Sequence, residues 1–163
     1  MKTTAQRRLG GALAVTLAAA VIAVPASAHH SFSIFDSDVT KVFTGVVTRV
    51  NPDANHLQIF FAPMNEERKN VQRDANNKPI VWAVEMAGSA QAARDGISVS
   101  TFPPGTIFSV GLHPLRSGEP AGSSERSGMF KCPEKTPPAP GKHCDSVEGH
   151  TAFGEGQLPV PTD

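Results

Sequence analysis

The sequence has no surplus of positive charge. Its 15 Lys and Arg are matched by 15 Asp and Glu, which argues against a nucleic-acid partner, because binding phosphates needs a basic excess. No apolar run reaches the roughly 20 residues of a membrane-spanning helix. Catalytic signatures are also missing: there is no nucleophile beside a base, no pair of carboxylates in an apolar setting and no H-E-x-x-H zinc motif. The chain therefore reads as a non-catalytic protein. Cysteine is scarce too, with two residues, enough for one disulfide or one Cys/His metal site.

One end of the chain is unlike the rest. Lys2, Arg7 and Arg8 stand there without an acid, and a nearly continuous apolar run from Leu9 to Val24 follows. Pro25 and the small residues Ala26, Ser27 and Ala28 come next. These are the charged region, apolar region and cleavage site of a secretory signal peptide. Cleavage after Ala28 is expected, with a cut after Ala26 as the alternative. Removing residues 1–28 from 163 leaves 135 residues and a net charge of −3 with His neutral, the size of one domain. The expected location is the bacterial periplasm, with no stable membrane span after cleavage. In that oxidising compartment Cys132 and Cys144 are expected to pair. The ring closed would contribute roughly 3 kcal/mol on a chain-entropy model. The alternative is a metal site that uses His143 beside Cys144.

Residues 41–50 are rich in β-branched side chains and predict a strand with a bulge or bend at Gly45. Alternation predicts further strands over 56–61 and 80–86, the latter carrying the lone Trp82. The charged stretch 62–78 has no period and reads as a solvated connection. Ser89 is the expected N-cap of a short helix over 90–95, ended by Gly96. After an extended piece and a Pro103–Thr106 turn, strands are expected over 107–112 and 129–131. Residues 29–132 thus form the expected domain, and 133–163 a Pro-rich, disulfide-stapled extension with a loose tail from 154. Three strands, a helix and two strands is the element order of a mainly β, five-stranded OB-like barrel with its helix between strands three and four. A β-sandwich is the alternative.

Several short motifs follow one another along the chain: Ala-His-His-Ser-Phe with a following Asp at 28–38, Thr44-Gly45, Asn51-Pro52, Trp82-x-x-Glu85, Arg94-x-Gly96, Pro104-Gly105 and Pro114-x-Arg116-x-Gly118. In that order they resemble a family of bacterial exported proteins, domain of unknown function 6152. The likeness covers roughly residues 28–130. In the family a His usually follows the Asn-Pro pair; here Asp53 stands there and His56 comes three residues later. The resemblance implies no activity.

Candidate chemistry centres on histidine. Cleavage after Ala28 makes His29 the first residue, so its free amine and ring can chelate copper, with His30 or a distant His such as His56 completing the set. Cleavage after Ala26 puts His29 third, a square-planar arrangement for Cu(II) or Ni(II). Trp82 and Glu85 are the candidate ligand-face residues. Three functions follow: binding of a small molecule or a periplasmic protein, copper binding at the mature N-terminus, and a structural or assembly role.

Overall fold

The computed structural model describes residues 32–52, 55–124, 128–154 and 156–162. Four strands stand at or close to the expected places, β1 (Lys41–Asn51), β2 (His56–Pro63), β3 (Trp82–Gly88) and β4 (Ile107–Pro114), with β3 two residues later than the expected 80–86 and β2 running on to Pro63. Their apolar residues occur at every second position, so one face of each strand can leave water while the other stays wetted. Between β3 and β4 lies the helix α1 (Ser89–Arg94). Three short strands complete the set: β5 (Ala121–Ser123), β6 (Met129–Lys131) and β7 (Thr151–Phe153).

The strands close a ring. β1 pairs antiparallel with β2 and with β4, β2 pairs with β3, and β5 bridges the gap by running parallel to β3 and antiparallel to the end of β4. The protein is thus mainly β, with an OB-like ring of five strands and one short helix between the third and fourth. The ring answers the β-sandwich alternative, since one sheet curls on itself. Its fifth strand, however, is β5 at 121–123 and not the expected 129–131. The latter is β6, which pairs with residues 108–110 of β4 beside β5 and in turn carries β7.

The ring is filled by Val47, Ile59, Phe61, Val84, Phe108, Val110, Leu112 and Met129, all at most 2 % exposed. Phe61 meets Phe108 edge to face at 5.3 Å, and Phe108 meets Phe102 in the same way at 5.7 Å, the geometry that a ring quadrupole favours. Ala92 of α1, with Ile97 and Phe102 just after it, closes one end.

Two local expectations are corrected. The bulge of β1 falls between Val47 and Arg49, while Gly45 is needed for a different reason: a Cβ there would lie 2.5 Å from Phe61 Cδ2. Gly88, not Ser89, is the N-cap of α1, and no side chain caps it. The helix does end at Asp95 with Gly96 at φ +76°, as the glycine predicts. Nor is the tail from 154 wholly loose, because Thr162 forms a bridge to Thr40 and its hydroxyl donates to the Asp38 carbonyl.

Candidate functional site

The two outer faces of the ring differ. Over β1, β4 and β6 the chain roofs its own sheet. Residues 132–147 cross this face, closed by a disulfide between Cys132 and Cys144 with Cα atoms 4.9 Å apart. Phe130 and both cysteines pack there with Ile107, Val147 and Leu158. Thr44 and Ser109 point outward from β1 and β4, yet they are 1 % and 0 % exposed. Their hydroxyls are 2.7 Å apart, the Cys144 N–H donates to Ser109 Oγ, and Thr44 Oγ1 lies 2.9 Å from His143 Nδ1. Arg68 Nε–H donates to the Lys142 carbonyl and the Gly141 N–H to the Glu66 carbonyl, which ties this strap to the loop after β2. Burial and the nearby Arg68 hold the His143 ring below the usual histidine pKa, against an opposing pull from Asp145. The Thr44–His143 pair has the parts of a nucleophile and a base, but a hydroxyl sealed from solvent cannot meet a substrate. It serves to dock the strap.

Among the described residues, no such roof covers the outer face of β1, β2 and β3, although at its β5 end Ser123 is 3 % exposed. The β1 bulge turns Val50 inward and so directs Arg49 and Asn51 outward. Register then aligns side chains across the strands. One row is Asn51, Gln58, Glu85 and Ser123; the next is Arg49, Phe60, Ala83 and Ala121. The Asn51 amide donates to Gln58 Oε1 at 3.5 Å, and the Arg49 guanidinium lies 4.0 Å over the Phe60 ring. The rows run into a cleft of about 520 Å³ beside α1, lined by Asn55, Gly88, Ser89, Ala90, Gln91 and Arg94. His56 sits at the junction. It pairs with Gly88, and its ring lies 3.6 Å from Glu85 Oε1. Its Nδ1 is 3.2 Å from the Met86 carbonyl, which can only accept, so Nδ1 donates that bond.

The residues singled out from sequence separate. His29 and His30 lie outside the described residues. His56 stands on the cleft rim, and among the described residues no three of His, Cys, Asp and Glu gather around a shared point for a metal. Cys132 and Cys144 form the disulfide, so they are not thiolate ligands for a site with His143. Trp82 and Glu85 lie three positions apart and face opposite ways: Trp82 packs on Phe43 at 4.7 Å beneath Lys41, while Glu85 joins the outer row. Sequence reasoning missed Arg49, Gln58 and Phe60, although β1 and β2 were both legible. The bulge falls between Val47 and Arg49 and not at Gly45, which changes which residues of β1 face out.

The segment before β1 is pinned to the ring. Phe35 bridges Leu115, the Asp36 N–H donates to the Pro114 carbonyl, and Asp36 Oδ1 pairs with Arg116 at 3.5 Å. His113 Nδ1 bonds the Val39 carbonyl. Among the described residues no helix is long and apolar enough to cross a membrane.

Fold and site together define an OB-like β-domain with one face roofed by its own strap and, among the described residues, an unroofed face over β1, β2 and β3. By sequence the chain belongs to the family of unknown function DUF6152, whose model matches residues 17–124. No curated protein and no solved structure matches the chain.

Proposed function

We propose that the chain is an exported, periplasmic, non-catalytic binding domain that takes its ligand on the bare face of β1–β3 and in the adjoining cleft. The observation that carries this reading is the continuity of the polar row Asn51–Gln58–Glu85 with the cleft through His56. Small ligands are held where a few polar groups converge beside a depression in the surface. The signal-like residues 1–28 and a buried disulfide both suit an oxidising compartment.

Amide NMR of the mature protein tests it, with a panel of sugars, amino acids, nucleotides and small carboxylates as probes. At least one probe class should shift resonances at 49–60 and 83–91, and an Arg49→Ala, Glu85→Ala double variant should abolish that response. Shifts confined to other surfaces would overturn the site. Mass spectrometry of the periplasmic fraction should find a mature form that begins at His29, or at Ser27 for the alternative cut; an intact residue 1 would refute export with cleavage.

A second reading is copper binding at a mature N-terminal His29, with His30 or His56 as further ligands. What favours it is the pinning of residues 35–40, which would present a new N-terminus from a fixed base. Copper titration of the processed protein decides it. Affinity well above that of a peptide with the same first residues, lost in His29→Ala and after adding one N-terminal residue, is the expected result. Affinity equal to the peptide's would overturn it.

A further inference from the structure

We infer that the strap is a redox-latched lid: it covers the outer face of β1 and β4, the ring folds without it, and the Cys132–Cys144 bond holds it shut. This goes beyond the binding reading above and does not depend on it.

Lid and ring have separate interiors. The ring core runs from Val47 and Phe61 through Phe108 to Met129, with Phe43, Val50, Trp82 and Phe153 packed against it, and it takes nothing from 132–147. The lid has its own cluster, Phe130, Cys132 and Cys144 with Ile107, Val147 and Leu158, and the two clusters share no residue. Successive residues of a strand face opposite ways, so in β6 Met129 enters the ring core while Phe130 turns out under the lid. Lifting the lid leaves the ring core dry.

What the lid touches can also return to water. Thr44 and Ser109 meet His143 and Cys144 through hydroxyls on the outer side of their strands. The lid's far end is tied through the carbonyls of Lys142 and Glu66, both on exposed residues. All of these groups are hydrated once the lid is up, so opening strands no polar atom in an apolar setting, which is what makes a lost hydrogen bond costly.

The lid is the connection between β6 and β7. Their register sets Lys131 opposite Thr151, so its two feet stand side by side on the ring. Pro133, Pro137, Pro138 and Pro140 keep its first half from joining a strand ladder. A long connection without such a ladder has many paths open to it. The disulfide, which spans 12 positions, removes most of them and carries His143 and Cys144 onto Thr44 and Ser109. Closing moves two electrons and two protons from the two thiols to a disulfide oxidant, which leaves as a dithiol; a dithiol reductant reverses the exchange. Once shut, Cys132 and Cys144 are 3 % and 0 % exposed, so a thiolate can attack only when the lid lifts. The lid therefore stands open in a reducing compartment and stays shut in an oxidising one.

The test is amide hydrogen exchange, read by NMR, on the oxidised mature protein and on a Cys132→Ala, Cys144→Ala double variant. The amides of residues 141 and 144, bonded to the Glu66 carbonyl and Ser109 Oγ, report the lid; those of Val47 and Ala83, bonded to the Thr106 and Pro120 carbonyls, report the ring. Trp82, the lone tryptophan, packs on Phe43 and reports melting of the ring by fluorescence. In the variant, residues 141 and 144 should exchange faster than Val47 and Ala83 by roughly a hundredfold or more, with a cooperative Trp82 melt retained. The His143 ring, held below the usual histidine range in the shut lid by burial and by Arg68, should titrate closer to its ordinary value. Parent protein refolded in a dithiol should match the variant, and oxidised glutathione should then restore protection at 141 and 144. A variant that does not fold, or whose ring amides lose protection together with the lid, overturns the separate ring. Lid amides as protected as those of the ring, or no recovery on oxidation, overturn the latch. None of these outcomes bears on binding at the face of β1–β3.

Discussion

Replacing Thr44 by Val removes one buried oxygen and should loosen the whole strap. Thr44 Oγ1 has two partners, Ser109 Oγ at 2.7 Å and His143 Nδ1 at 2.9 Å, and Thr44 is 1 % exposed. Valine keeps the β-branched shape, so the strand and the packing volume survive. Two hydrogen bonds worth about 1 kcal/mol each are lost, and the Ser109 hydroxyl, itself sealed from water, keeps only the Cys144 N–H; the expected cost is about 2–3 kcal/mol. For a domain of this size that is a fall of roughly 8–12 °C in the thermal midpoint. Ser109→Ala should cost a similar amount, because it leaves the Cys144 N–H without its acceptor. Urea unfolding of Thr44→Val, Ser109→Ala and the double variant forms a thermodynamic cycle. Groups that share one network should be sub-additive by at least about 0.5 kcal/mol. Two single losses below about 0.5 kcal/mol each, or strict additivity, would show that the hydroxyls do not hold the strap down.

Three further outcomes follow from the same structure. The His143 pKa is depressed in the folded state, so below about pH 6.5 the unfolded chain binds more protons than the folded one; stability should fall as pH drops from there toward the folded value and be insensitive to this group above it. His143→Gln should flatten that part of the urea-midpoint profile, and parallel profiles would refute the assignment. Gly45→Ala should destabilise by about 1–3 kcal/mol through overpacking, because its Cβ would meet Phe61 Cδ2 at 2.5 Å and the Ala62 carbonyl at 3.0 Å; a neutral result in a melting assay would mean the ring yields. Phe108→Ala should cost about 3–5 kcal/mol, since that fully buried ring packs edge-on against both Phe61 and Phe102; a loss under about 1 kcal/mol in urea unfolding would place the core elsewhere.

The long strands were legible because burial on one face writes a period of two into them, and the helix because Gly96 marks its end. The short ones were not. β5 is Ala-Gly-Ser, with no β-branched or aromatic residue, and it is a strand only because β3 and the end of β4 leave a slot between them. Gly122 fits that slot for lack of a Cβ, which would lie 2.5 Å from the His113 carbonyl oxygen. The strap network was invisible for another reason. Thr44, Ser109 and His143 are separated by 65 and 99 positions, and nothing local marks a threonine and a serine on the wetted side of two strands as buried. Only the disulfide hinted that residues 133–144 lie against the ring.

The motifs that relate this chain to its family sort by what they do in the structure. Asp36 and Arg116 come from two of them and pair with each other. Gly45 makes room for a core ring, Gly105 at φ +91° donates its N–H to the Val47 carbonyl, and Gly96 and Gly118 take the positive φ of their turns. Trp82 packs inward on Phe43. All of these build the ring or pin the chain to it, so none needs a ligand to account for it. Asn51 and Glu85 come from separate motifs, yet the register sets them in one row with Gln58 between them. Neither fills the core, and neither makes a turn. A ring that needed only to be wetted on this side could use any polar residues there. Asn51 and Glu85 thus fall together on a face that the strap does not cover.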